Sequence, residues 1–136
     1  MPARILVVED DPANLSLMGY LLQAFGHSTV PARDGEEALA AAAREEIDLV
    51  ICDLQLPGMD GYEVLRRLRQ DPGLAAVPVV AVTAFAMVGD RERMLAAGFD
   101  AYLPKPIDPE EFVPRLEALL PEARRSRGRP SPVTER

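Results

Sequence analysis

Hydrophobic and polar positions alternate along this chain in two distinct rhythms. Ile5-Leu6-Val7-Val8, Leu49-Val50-Ile51-Cys52 and Val77–Val82 are short, unbroken apolar runs rich in β-branched residues. Such runs predict strands covered on both faces. Between them the apolar residues fall at helical spacing. Leu15, Met18, Leu21, Leu22 and Phe25 form one stripe, with Asp11-Pro12 as a start signal and Gly26 as a stop. Val64, Leu65 and Leu68 mark a helix over Gly61–Arg69, and Phe112, Leu116 and Leu119 mark one over Pro109–Leu120. Pro114, inside that last segment, is expected to kink or delay its regular part. Asp34-Gly35 opens an Ala-rich helix over Glu36–Arg44, and Gly98 closes one over Asp90–Ala97. Weaker strands are predicted at Ser28–Ala32 and Ala101–Leu103.

The result is five strands alternating with five helices. Parallel neighbours need crossover connections, so this alternation predicts an α/β protein with a parallel sheet covered on both faces. For five such units the flavodoxin-like, doubly wound order 2-1-3-4-5 is expected, with ligands bound beyond the carboxyl ends of the central strands. Residues 3–121 form the predicted domain. Residues 122–136, rich in Arg, Ser and Pro and without apolar periodicity, read as a disordered basic tail.

Composition narrows the function. The 136 residues carry a net charge of −7, yet Ala123–Arg136 holds five Arg against one Glu, so the domain itself is more acidic than the total. An acidic body repels phosphate backbones, which argues against nucleic-acid binding by the domain. The single cysteine, Cys52, sits in an apolar run and reads as a buried structural thiol. No stretch of 18 apolar residues predicts a membrane span. The first residues lack the pattern of a signal peptide, so a cytoplasmic protein is expected. Lys105 is the only lysine among 15 basic residues.

The strand ends hold the candidate chemistry. Glu9-Asp10-Asp11 follows the first strand, Asp53 the third, Thr83 the fourth and Lys105 the fifth. Each has an ordinary reading: Asp11 as a helix cap, Glu9 and Asp10 as solvated charges, Thr83 as a strand residue, Lys105 as a surface lysine. In a doubly wound sheet, however, these positions share one rim. Two carboxylates ~4 Å apart repel by roughly 1–4 kcal/mol. A bound cation offsets that cost, and all-oxygen ligands with room for water suit Mg²⁺. With a fixed ammonium and a hydroxyl beside it, the patch describes a site for a phosphoryl group on or near a carboxylate.

These residues resemble a known family. Ile5-Leu6-Val7-Val8-Glu9-Asp10-Asp11-Pro12, Asp53-Leu54-Gln55-Leu56-Pro57-Gly58-Met59-Asp60-Gly61, Val82-Thr83-Ala84 and Lys105-Pro106 are similar, in order and spacing, to the motifs of response-regulator receiver domains. The segment Val79–Met87 particularly resembles DivK-like single-domain regulators and the receivers of hybrid kinases. The resemblance covers about residues 3–121. It implies that Asp53 is the phosphoacceptor and that Asp10, Asp53 and the backbone carbonyl of Gln55 ligate Mg²⁺ (or Mn²⁺), with Glu9 acting through water. It implies that Lys105 pairs with the phosphoryl oxygens, that Thr83 hydrogen-bonds one of them, and that Tyr102 occupies the aromatic switch position. A cis Lys105-Pro106 peptide is implied as well. Phe85, at a position that tunes phosphoryl lifetime, implies slow loss of the group.

The partners so implied are a histidine kinase or histidine phosphotransfer protein and a downstream protein docking on the face of the fourth helix, fifth strand and fifth helix. A monomer or a weak phosphorylation-dependent dimer is expected. The protein would catalyse only its own phosphorylation and dephosphorylation. The alternatives are a receiver module of a larger hybrid kinase or multidomain regulator, and a scaffold receiver not controlled by phosphorylation. A phosphoaspartate phosphatase needs a second acid two residues after the nucleophile, where Gln55 stands. A dinucleotide-binding domain needs glycines in the first turn, which is acidic here. His27, the only histidine, is expected at the surface.

Overall fold

The computed structural model describes residues 2–84 and 88–121. Phe85 and the predicted tail at 122–136 lie outside the described residues, as do the expectations placed on them. The strands are β1 (Arg4–Val8), β2 (Ser28–Ala32), β3 (Leu49–Asp53), β4 (Val79–Thr83) and β5 (Ala101–Pro104). The helices are α1 (Pro12–Ala24), α2 (Gly35–Arg44), α3 (Gly61–Gln70), α4 (Val88–Ala97) and α5 (Phe112–Glu117). All strand pairs are parallel, in the expected order β2-β1-β3-β4-β5.

The unbroken apolar runs have a simple cause. Alternate residues of each central strand enter different cores. Leu6, Val8, Val50, Cys52, Val79 and Ala81 point to one face, where Ala38, Ala41, Val64, Leu65, Leu68 and Met94 of α2, α3 and α4 cover them. Ile5, Val7, Leu49, Ile51, Val80 and Val82 point to the other, against Met18 and Leu22 of α1 and Phe112, Val113 and Leu116 of α5. Truncating any of these leucines to Ala would cost about 2–5 kcal/mol. Pro31 is tolerated inside β2 because that strand is at the edge of the sheet and pairs only with β1.

Local chemistry sets the helix starts. The Asp11, Asp34 and Asp60 side chains each cap a helix, accepting from the backbone N–H of Ala13, Glu37 and Glu63. Gly26 at φ 90° ends α1 in the left-handed conformation that favours glycine.

Several boundaries differ from expectation by one to three residues, and two of the differences have a clear local cause. Val77 closes a turn onto the Leu74 carbonyl, so β4 begins at Val79. The last helix is regular only over Phe112–Glu117. Pro109–Glu111 form a turn before it, and Leu119 and Leu120 bond three residues back, to Leu116 and Glu117.

His27 contradicts the surface expectation: it is 3 % exposed. Its Nδ1 accepts the Ala3 backbone N–H at 3.0 Å, so the ring proton belongs to Nε2, which faces Glu117 Oε2 at 2.5 Å. A hydrophilic residue after a helix-ending glycine looked solvated, but the fold uses it to join the start of β1 to α5.

Candidate functional site

The parallel register aligns the carboxyl ends of the strands. Val8 lies opposite Cys52, Asp53 opposite Val82, and Thr83 opposite Pro104. The residues just beyond β1 and β5, and those ending β3 and β4, therefore meet on one rim.

Lys105 is the hub. Its Nζ donates to Asp53 Oδ2 at 2.9 Å and to Glu9 Oε2 at 3.3 Å. The cis Lys105-Pro106 peptide is present, and the Lys105 backbone N–H donates to the Thr83 carbonyl at 2.9 Å, which holds the segment against the end of β4. Asp53 Oδ1 accepts the Gln55 backbone N–H at 3.0 Å, and Glu9 Oε2 accepts that of Asp11 at 3.2 Å. Both carboxyl groups are thus fixed on one side by main chain. Glu9 is fully buried, Asp53 is 4 % exposed and Thr83 is buried beside them, whereas Asp10 and Gln55 face solvent.

Two acids share one ammonium, and the balance is incomplete. Burial, together with the neighbouring Asp53 charge, pushes the Glu9 carboxyl up to about 7, against the opposing pull of the Asp11 N–H and Lys105. Burial disfavours the charged ammonium of Lys105, but its hydrogen bonds to Asp53 and Glu9 outweigh this and hold its pKa above the ordinary value. Glu9 Oε1 lies 3.1 Å from the Lys105 nitrogen yet makes no hydrogen bond. A buried, unsatisfied carboxylate oxygen carries a desolvation cost unless something else binds there. Carboxylate oxygens of Glu9, Asp10 and Asp53 all lie within 4.8 Å of one another. This donor set, all oxygen with one member exposed, fits a hydrated divalent cation such as Mg²⁺.

Gly61 lets the chain pass close against the end of β3, beside Asp53. A Cβ there would sit 2.6 Å from the Asp53 carbonyl oxygen and 2.8 Å from Leu54 Cα. Helix α3 can start this close to the end of β3 only without a side chain, and the Gly61 N–H donates to the Leu54 carbonyl at 3.0 Å. Cys52, one residue before Asp53, is fully buried, and burial pushes its thiol well above the ordinary range. That agrees with a structural role.

Tyr102 lies half-buried on β5, packed against the core on the α4 side. Its hydroxyl accepts a hydrogen bond from Arg91 Nε at 2.9 Å. This pairing and the His27–Glu117 pair escaped the sequence reading. A signal for Glu117 existed: it shares a helix stripe with Val113, Leu116 and Leu120, an acid on an otherwise apolar face. For Arg91 there was no signal, because its partner lies on another element.

A doubly wound parallel sheet with an acid–amine cluster beyond its strand ends defines a phosphoryl- and cation-handling α/β protein. Comparison with known proteins makes the class specific. The family model described as "Response regulator receiver domain" matches residues 5–117. The polar-differentiation response regulators DivK of Brucella anthropi and Brucella ovis are 42 % and 41 % identical over 123 residues, covering 90 % of this chain and all of theirs. Among solved structures, the chemotaxis response regulator CheY4 of Vibrio cholerae superimposes with a TM-score of 0.84 at 28 % identity, over 88 % of this chain and 100 % of that one. The receiver domain of sensor histidine kinase PA1611 from Pseudomonas aeruginosa, with a magnesium ion coordinated in its active site cleft, gives 0.80 at 35 % identity, over 88 % and 98 %.

The chain belongs to the response regulator receiver domain family. It is a phosphorylation-based switch of two-component signalling, a family whose members bind Mg²⁺ and interact with kinases or phosphotransfer proteins and with downstream targets. Among the described residues, no helix is long and apolar enough to cross a membrane.

Proposed function

We propose that Asp53 is the residue that accepts the phosphoryl group, within a receiver domain spanning residues 3–121. The observation that carries this reading is the shared contact of Lys105 with Asp53 at 2.9 Å and with Glu9, whose second oxygen has no hydrogen-bond partner. A carboxylate held by one main-chain N–H and one ammonium is positioned as a nucleophile, and the acids around it leave room for more positive charge.

In the proposed reaction an Asp53 oxygen attacks the phosphorus of a phosphohistidine on a histidine kinase or phosphotransfer protein. The new O–P bond forms as the P–N bond breaks, and the electron pair leaves with the imidazole, which takes up a proton. Lys105 follows the developing charge on the transferring oxygens, and such positioned charge supplies most of the catalysis in phosphoryl transfer. A Mg²⁺ (or Mn²⁺) ion held by Asp10, Asp53 and the Gln55 carbonyl, with Glu9 acting through water, would neutralise further charge on those oxygens. The related PA1611 receiver, with magnesium in its cleft, supports that assignment.

The acyl phosphate adds roughly two negative charges at the end of β3. Thr83 then donates its hydroxyl to a phosphoryl oxygen, and Tyr102 moves inward toward the vacated space. The face formed by α4, β5 and α5 shifts between two populations, and a downstream protein that prefers one of them reads the signal.

Incubation with acetyl phosphate, with and without Mg²⁺, followed by intact mass measurement, tests the assignment. A Mg²⁺-dependent adduct is expected on the wild-type protein and not on Asp53→Asn. An equal adduct on that variant would refute it.

A further inference from the structure

Helix α4 is docked shallowly. Among its described side chains only Met94 is buried, while Leu95 is 49 % exposed. Two arginine–tyrosine contacts add to that anchorage. The Arg91 guanidinium carbon lies 5.2 Å from the Tyr102 ring centroid, and its Nε bonds the same residue's hydroxyl. Two residues further along the helix, Arg93 lies 5.0 Å from the Tyr62 ring centroid, and Tyr62 in turn packs edge-on against Phe99 at 5.7 Å. The first contact grips the residue proposed to move on phosphorylation. The second ties the helix to α3 and leaves that residue alone.

From this geometry we infer that Arg91 is a latch on the switch: it holds Tyr102 in its outer, half-buried position and so sets how much of the protein adopts the signalling state. This rests on the phosphoacceptor and switch roles proposed above. Arg91 meets Tyr102 both over the ring and at the hydroxyl, so inward travel of Tyr102 breaks both contacts. Exposed cation–π contacts and single hydrogen bonds are each weak. Together they bias the two-state equilibrium by about 3- to 10-fold toward the unsignalling state. Because the coupling is reciprocal, whatever holds Tyr102 outward also weakens binding of a phosphoryl mimic at Asp53 by the same factor. Arg93 supplies the internal control, a similar contact on the same helix without a grip on Tyr102.

The test is the affinity of the full chain for beryllofluoride in the presence of Mg²⁺, measured for wild type, Arg91→Ala, Arg91→Lys and Arg93→Ala, and repeated in a Tyr102→Ala background. Arg91→Ala should bind about 3- to 10-fold more tightly than wild type. Arg91→Lys, which keeps the charge but not the Nε donor, should fall between them. In the Tyr102→Ala background the Arg91 effect should vanish. Unchanged affinity in Arg91→Ala, or a gain that survives loss of Tyr102 or is matched by Arg93→Ala, overturns the latch while leaving the phosphoacceptor reading standing. A folded wild-type protein that binds no beryllofluoride overturns both.

Discussion

The molecule buries ionisable side chains at both ends of its sheet, and the two groups are built on opposite plans. At the amino-terminal edge, His27 and Glu117 form a closed pair: one imidazole nitrogen accepts from Ala3, and the other donates to the carboxylate. At the carboxyl edge, Glu9, Asp53 and Lys105 form an open set, with two acids on one amine and an oxygen of Glu9 without a hydrogen-bond partner. Buried charge that is matched locally joins elements together. Buried charge left partly unmatched is a standing cost, and it persists at a place where a ligand relieves it. The same residue types therefore serve structure at one end and chemistry at the other.

Changes at the two ends should separate along that line. The largest effect is expected from Lys105→Ala, which removes the only amine of the open set. Adduct formation from acetyl phosphate should slow by about a hundredfold or more, as when a preorganised charge-stabilising donor is deleted. Circular dichroism should still report a folded protein.

His27→Ala is expected to do the reverse. It strips Glu117 of its imidazole donor and leaves the Ala3 N–H without its acceptor. The loss should be about 2–4 kcal/mol of stability in urea denaturation. Adduct formation, measured where the variant is folded, should remain close to wild type. A stable His27→Ala protein that no longer takes up phosphoryl groups would dissolve the contrast between the two ends.

A smaller effect is predicted for Glu9→Gln. Removing a buried, incompletely matched carboxylate should leave the metal-free protein as stable as wild type, or more stable by about 1 kcal/mol, while weakening its response to Mg²⁺. Thermal melts with and without Mg²⁺ check both parts, and a loss of several kcal/mol in the metal-free protein would show the open set to be structural after all. The smallest signal comes from Cys52. Burial raises its thiol pKa, so at pH 8 the thiolate is scarce and shielded. Iodoacetamide should label Cys52 only when a denaturant is added.

Much of this organisation is legible in the chain itself. β1, β3 and β4 show as unbroken apolar runs because both faces are covered. Five such alternations point to the order 2-1-3-4-5, and that order places Glu9, Asp53, Thr83 and Lys105 on one rim. What stayed hidden depends on contacts between distant elements. His27 looked like a surface residue because its acceptor role toward Ala3 and its partner, Glu117, come from 24 and 90 residues away. Arg91 carries no signal in the sequence, since Tyr102 is reached only when β5 lies beside α4. The regular part of α5 starts late, at Phe112, as Pro114 led one to expect: proline lacks an N–H and is tolerated only in a helix's first turn.

Locating the modification is the most direct test of the central claim. After phosphorylation by acetyl phosphate and Mg²⁺, borohydride reduces an acyl phosphate to the alcohol, and peptide mass spectrometry then identifies the residue. Conversion is expected at Asp53 alone. Conversion at Glu9, Asp10 or any other carboxylate in place of Asp53 would contradict it.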